Sequence, residues 1–96
     1  MLHLVFQSPI QYAVLERISA GDDVVFLDNA VFGLLRKGSL GDALAALLGR
    51  CRLFVLSDDI SARGLFADEL AAGMAVIDYA ELVALTVKNP VIQSWS

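Results

Sequence analysis

Short continuous apolar runs alternate along this chain with longer stretches in which apolar residues recur every three or four positions, and each change of period marks a change of element. Residues 2–6 form the first run, ended by Gln7, Ser8 and Pro9, and read as a strand with Leu2, Leu4 and Phe6 on one face and His3 on the other. Ser8 followed by Pro9 has the form of a helix N-cap and first helical residue, with Ile10, Ala13, Val14 and Ile18 as the inward stripe and Gly21 as the stop. Val24, Val25, Phe26 and Leu27 show no alternation, which predicts a central strand covered on both faces.

The same logic continues downstream. Asn29 is placed to cap a short helical segment through Leu35. Ser39 with Asp42 has capping-box spacing ahead of a helix carrying Leu40, Ala43, Leu44 and Leu47, which Gly49 ends. A third buried strand over residues 53–56 leads into a polar turn at Ser57, Asp58 and Asp59, then a weakly helical stretch to Leu70 that Gly64 interrupts. Residues 75–77 read as a fourth strand. Asp78 with Glu81 repeats the capping spacing before a helix bearing Leu82, Val83 and Thr86 that ends at Lys88, Asn89 and Pro90, and residues 91–95 read as a last edge strand. Strands and helices alternating at this spacing predict an α/β fold: one small domain over residues 1–96, with a mainly parallel sheet, right-handed crossovers and helices on both faces. Strand order is not encoded in the pattern.

Composition sharpens this picture. With 96 residues, 57% of them hydrophobic, the chain can build one core but keeps a large surface. A mean hydropathy of +0.66 is high for so small a domain, so part of its apolar surface is expected to meet another chain. Charged residues and glycines interrupt every apolar stretch before it reaches the ~18 residues of a membrane span. The first residues lack the basic start and cleavage site of a secretory signal, so a cytoplasmic location is expected. A net charge of −4 with seven scattered Lys and Arg argues against a nucleic-acid surface.

In an open α/β sheet, ligands bind beyond the carboxyl ends of the strands. Those ends offer Gln7, Ser8, Asp28, Asn29, Ser57, Asp58, Asp59 and Asp78, an acidic rim. No glycine-rich phosphate motif accompanies them, and helix capping accounts for Asn29 and Asp78 more simply than a metal does, so neither cofactor nor metal is expected. The serines lack the glycine-flanked turn that exposes a nucleophile. His3, without such a partner, reads as a hydrogen-bonded structural residue. Cys51 is the sole cysteine, which excludes an intramolecular disulfide and a two-thiol redox motif. Arg50 and Arg52 flank it and would favour a thiolate, yet a lone cysteine is more often a small buried hydrophobe, so Cys51 is a disfavoured sulfur acceptor. Asp59 and Arg63 stand four apart and can pair; together with Trp95, an aromatic close to the end of the last strand, they are the candidate interface residues.

Several stretches, in this order and at this spacing, resemble the TusB/DsrH family: Met1-Leu2-His3 with Ser8-Pro9; the run Asp59-Ile60-Ser61-Ala62-Arg63-Gly64-Leu65; Ile77-Asp78-Tyr79; Leu82-Val83 with Leu85-Thr86; and Ser94-Trp95. The resemblance implies the DsrE/DsrF/DsrH-type fold and a noncatalytic place in a sulfur-relay heterohexamer with two copies each of this chain and of TusC-like and TusD-like sister subunits. In that family the TusD/DsrE-like subunit carries the persulfide and passes sulfur to a TusE/DsrC-like protein, toward 2-thiouridine at the tRNA wobble position. In sulfur oxidisers the DsrEFH version serves dissimilatory sulfur metabolism instead.

This chain departs from the pattern twice. Some DsrH members carry a cysteine in the first helix, whereas residues 12–19 contain none, which favours the tRNA-thiolation version and argues against direct sulfur carriage. The family commonly has Asp-Gly after the second strand where this chain has Asn29-Ala30. Two alternatives stay open at this point: a DsrH-type subunit of a sulfur-oxidation complex, and a standalone homo-oligomer using Cys51 as acceptor.

Overall fold

A computed structural model describes residues 1–96. Five strands form one sheet: β1 (Leu2–Val5), β2 (Asp23–Phe26), β3 (Arg52–Leu56), β4 (Ala75–Ile77) and β5 (Ile92–Trp95). Their order is β4-β3-β2-β1-β5 and every neighbouring pair is parallel, with Leu2 opposite both Asp23 and Ile92. The helices between them are α1 (Tyr12–Glu16), α2 (Gly41–Leu48), α3 (Ser57–Ala62) and α4 (Tyr79–Lys88), with 3-10 helices over Asp28–Leu34 and Ala67–Glu69. No helix is long and apolar enough to cross a membrane.

The predicted central strand is β2, all four of whose residues are buried. Its side chains alternate between two cores. Val24 and Phe26 join Val5, Leu53 and Val55 in a large cluster closed by Val14, Leu15 and Ile18 around α1, Leu34 of the first 3-10 helix, Leu44 and Leu47 of α2, and Ile60 of α3. On the other face, Val25 and Leu27 join Leu2, Leu56 and Ile77 in a smaller cluster covered by Leu82 and Leu85 of α4 alone. The two faces are therefore unequally covered.

The predicted capping at Asp78 is present: its Oδ1 accepts the Glu81 N–H at 2.8 Å, and α4 runs from there to Asn89 as expected. Three other helix starts differ from expectation. Ser8 and Pro9, joined by a cis peptide bond, do not open α1; Gln11, in extended backbone, precedes a helix of only five residues. Ile10 has already turned into the core by then, so the inward stripe is Ile10, Val14, Leu15 and Ile18, and Ala13 faces out. Asn29 lies inside the first 3-10 helix instead of capping it, because its side chain is engaged by Arg63. The Ser39–Asp42 box is absent: α2 begins at Gly41 behind Leu40, whose burial in the core sets the start without a side-chain cap. The polar turn expected at 57–59 is the first turn of α3, where Asp58 and Asp59 complement the helix dipole, and Gly64 at φ +70° follows its end.

Candidate functional site

Both Asp59 and Arg63 belong to the segment that leaves the carboxyl end of β3. One turn of α3 separates them, which brings the guanidinium back over the edge of the sheet toward the start of the neighbouring 3-10 helix. There Arg63 Nε donates to Asn29 Oδ1 at 2.9 Å, Nη1 donates to the Asp59 carbonyl at 3.2 Å, and Nη2 pairs with the Asp28 carboxylate. The Asp59 carboxylate lies 3.7 Å from Nη1 and accepts the Asp28 N–H at 2.8 Å. Asp28 takes the left-handed region at φ +54°, rare for a residue with a Cβ, and these bonds from two directions hold it there. The predicted pair is thus half of a four-residue knot that fastens the turns after β2 and β3 together. Arg63 is only 19% exposed, so this is not the solvated helical pair that the spacing alone would give. Its groups are carboxylate, amide and guanidinium, which orient and recognise but supply no sulfur nucleophile.

Trp95 sits elsewhere, on the face of the sheet that carries His3. Its Nε1–H donates to His3 Nδ1 at 3.1 Å, the two rings are stacked at 6.3 Å, and the Arg17 guanidinium lies 5.9 Å from the indole centroid. His3, 2% exposed, passes the network on: its Nε2 lies 2.8 Å from Asp22 Oδ2, so accepting from Trp95 requires the Nε2-protonated tautomer. His3 is the hydrogen-bonded structural residue that the sequence predicts. Trp95 is partly covered by its own chain and locks β5 onto β1.

Cys51 lies at the opposite, amino end of the sheet. It is buried in the larger core, its Sγ–H donating to the Ser19 carbonyl at 3.1 Å. Arg52 is turned away to Asp23, at 3.2 Å. Four concavities of about 170 to 390 Å³ open on the surface; none is lined by Cys51, Asp59, Arg63 or Trp95.

Two acidic residues that the sequence reading did not single out anchor the amino edge. Asp23, 2% exposed at the first position of β2, accepts from Arg52 Nε at 3.2 Å, Lys88 Nζ at 3.2 Å and Asn89 Nδ2 at 3.1 Å. Desolvation pushes its pKa up, but the bonds from Asn89 and Lys88 and the nearby cations outweigh that and hold it below the usual carboxylate range. Asp22 behaves alike: desolvation is outweighed by the hydrogen bonds from His3 and the Ser19 N–H. The available signal was an aspartate at the threshold of an all-buried strand, a position that requires donors nearby.

Comparison with known proteins gives concordant matches. The model of the family described as DsrH like protein matches residues 6–91. Protein TusB of Erwinia tasmaniensis is 35% identical over 98 residues, covering 99% of this chain and 100% of that one. Among solved structures, a protein of unknown function, MTH1491, from Methanobacterium thermoautotrophicum superposes with a TM-score of 0.74 over 98% of this chain and 96% of its own, at 18% identity. The ychN protein from E. coli gives a TM-score of 0.71 over 98% and 97%, at 16% identity. These two structures share the fold.

Proposed function

This chain belongs to the DsrH-like family, and from that premise we propose that it is a noncatalytic subunit of a TusBCD-type sulfur-relay complex in the cytoplasm, supporting 2-thiouridine formation at the tRNA wobble position. The observation that carries the reading is likeness to a TusB along the whole chain, combined with the position of its one thiol. A sulfur carrier needs a thiolate that donor and acceptor proteins can both reach. Cys51 is 7% exposed, packed among leucines, hydrogen-bonded to a carbonyl and remote from the carboxyl edge, while α1 has no cysteine at all. Sulfur chemistry then belongs to a TusD-like partner, and this chain contributes surface.

The partners proposed are TusC-like and TusD-like sister subunits, two copies of each with two of this chain, and indirectly a TusE-like acceptor. The contact residues proposed are Asp59 and Arg63, whose knot presents a preorganised polar edge, and Trp95, which keeps a partly exposed ring.

The test is restoration of 2-thiouridine in a bacterium lacking its own TusB, TusC and TusD, supplied with this chain and its own sister subunits. Mass spectrometry of tRNA nucleosides is expected to show the modified base with the native chain and with Cys51→Ser alike. Persistent loss of the modification with Cys51→Ser, the variant being folded, would make Cys51 a carrier and overturn the noncatalytic reading.

A further inference from the structure

The last strand is fastened to the sheet by one side chain. In β5, Ile92, Gln93 and Ser94 are exposed and Trp95 alone is partly buried, so beyond the backbone ladder to β1 the strand is held by its indole. That indole donates to His3, the only histidine of the chain, and the bond has a condition attached. Nδ1 accepts the Trp95 N–H only while it carries no proton, and Nε2 faces Asp22 at 2.8 Å, so the single proton of a neutral ring sits on Nε2. Histidine is the side chain whose ordinary titration falls between about pH 5 and 8.

We propose that His3 is a proton-operated latch on the C-terminal strand: uptake of one proton from solvent at Nδ1 turns the acceptor into a second donor, breaks the bond from Trp95 and frees the end of β5. Two donors then face each other across the distance of a hydrogen bond, and one side has to move. His3 is 2% exposed within β1, and rotating Nδ1 away would withdraw Nε2–H from Asp22. Trp95, on an edge strand with three exposed neighbours, is the partner free to leave. The charges around the ring allow both states. The Asp22 carboxylate, ionised throughout this range, pairs with the imidazolium, so the new charge is not left buried without a partner. The Met1 ammonium, 3.5 Å from the same carboxylate, and Arg17 at the end of α1, beside the indole, oppose it. β2 and β5 place Val24 and Gln93 next to His3 and add no charge, and Asp23 with Lys88 and Arg52 lies on the Leu2 side of the sheet. The latched ring holds one proton and the released ring two, so falling pH drives release and rising pH restores the bond.

The latch concerns this chain by itself and stands or falls separately from the relay reading. With one histidine and one tryptophan, both partners can be read in the intact protein. As pH falls from about 8 to 5, Trp95 fluorescence is expected to move to longer wavelength, with the midpoint at which proton NMR shows the His3 ring titrating. Over the same range, exchange at the Phe6 amide, which donates to the Trp95 carbonyl, is expected to accelerate about tenfold relative to the β2 amides once intrinsic rates are divided out, the factor equivalent to one hydrogen bond. His3→Gln, which cannot titrate, is expected to remove the pH dependence of the emission. Trp95→Phe keeps an aromatic ring but has no N–H to oppose the second proton, so His3 is expected to take it up at higher pH than in the native chain. An emission that stays constant while His3 titrates, a ring that stays neutral until the chain unfolds, a His3 midpoint unmoved by Trp95→Phe, or a pH-dependent emission that persists in His3→Gln would overturn the proposal.

Discussion

Replacing Asp23 by alanine removes the acceptor on which the amino end of β2 and the carboxyl end of α4 converge. Three donors reach that carboxylate, but they are not equivalent. Arg52 and Lys88 are 66% and 52% exposed, so each regains water when the carboxylate is lost, and each such pair is worth only about 0.2–1 kcal/mol. The Asn89 amide is buried and bonded to a charged group, a bond worth roughly 1.5–3 kcal/mol. Asn89 also donates to the Leu85 carbonyl, so part of its hydrogen bonding survives the substitution. The expected loss is therefore about 3 kcal/mol, most of it from Asn89. For a domain of this size that lowers Tm by more than about 10 °C. Urea unfolding at neutral pH, with Asp23→Ala, Asn89→Ala and the double variant at one fixed protein concentration, measures it. The double-mutant cycle is expected to show coupling above about 1 kcal/mol. Strict additivity of the two single losses, or a loss under about 0.5 kcal/mol for Asp23→Ala, would refute the reasoning.

The same carboxylates set a pH dependence. Asp22 and Asp23 titrate below their unfolded value of about 3.9, so their stabilisation is complete above that pH and disappears as pH falls through the depressed folded values. Unfolding free energy is expected to fall steeply below about pH 4, with a shallower fall in Asp23→Ala; identical acid limbs would contradict the assignment. Arg63→Ala frees Asp28 in a left-handed conformation and leaves Asn29 without its donor, and is expected to cost about 1–3 kcal/mol in thermal unfolding, whereas a loss of only tenths would mean that the knot is an ordinary surface pair. Trp95→Ala strips the indole from His3 and Arg17, and hydrogen exchange is expected to show faster exchange at the Phe6 amide, which donates to the Trp95 carbonyl, before any change in β2. Uniform acceleration across the sheet would refute a local docking role.

The sheet was legible because burial writes itself into period: continuous apolar runs at β2 and β3 announced strands covered on both sides, and both lie inside the sheet. Helix starts were legible only where a side chain makes the cap. Asp78 does so; at α2 the start is fixed by Leu40 entering the core, which no local motif records. Strand order depends on contacts far apart in sequence, and β5, the last strand, returns beside β1, the first. At the candidate site, the spacing of Asp59 and Arg63 gave the pair, but their union with Asp28 and Asn29 spans more than thirty residues and required the fold. The roles of Asp22 and Asp23 were hidden likewise, since their partners His3 and Asn89 come from opposite ends of the chain. The excess of apolar residues pointed to a partner surface without placing it, because apolar positions on α4 read the same whether they face the sheet or solvent.

The proposed membership in a relay complex is tested most directly by co-expressing a tagged copy of the chain with the TusC-like and TusD-like proteins proposed as its sisters and weighing the eluted species by native mass spectrometry. A single assembly holding two copies of each of the three chains is the predicted result. The tagged chain eluting without either sister, while both are present and soluble in the same extract, would contradict it.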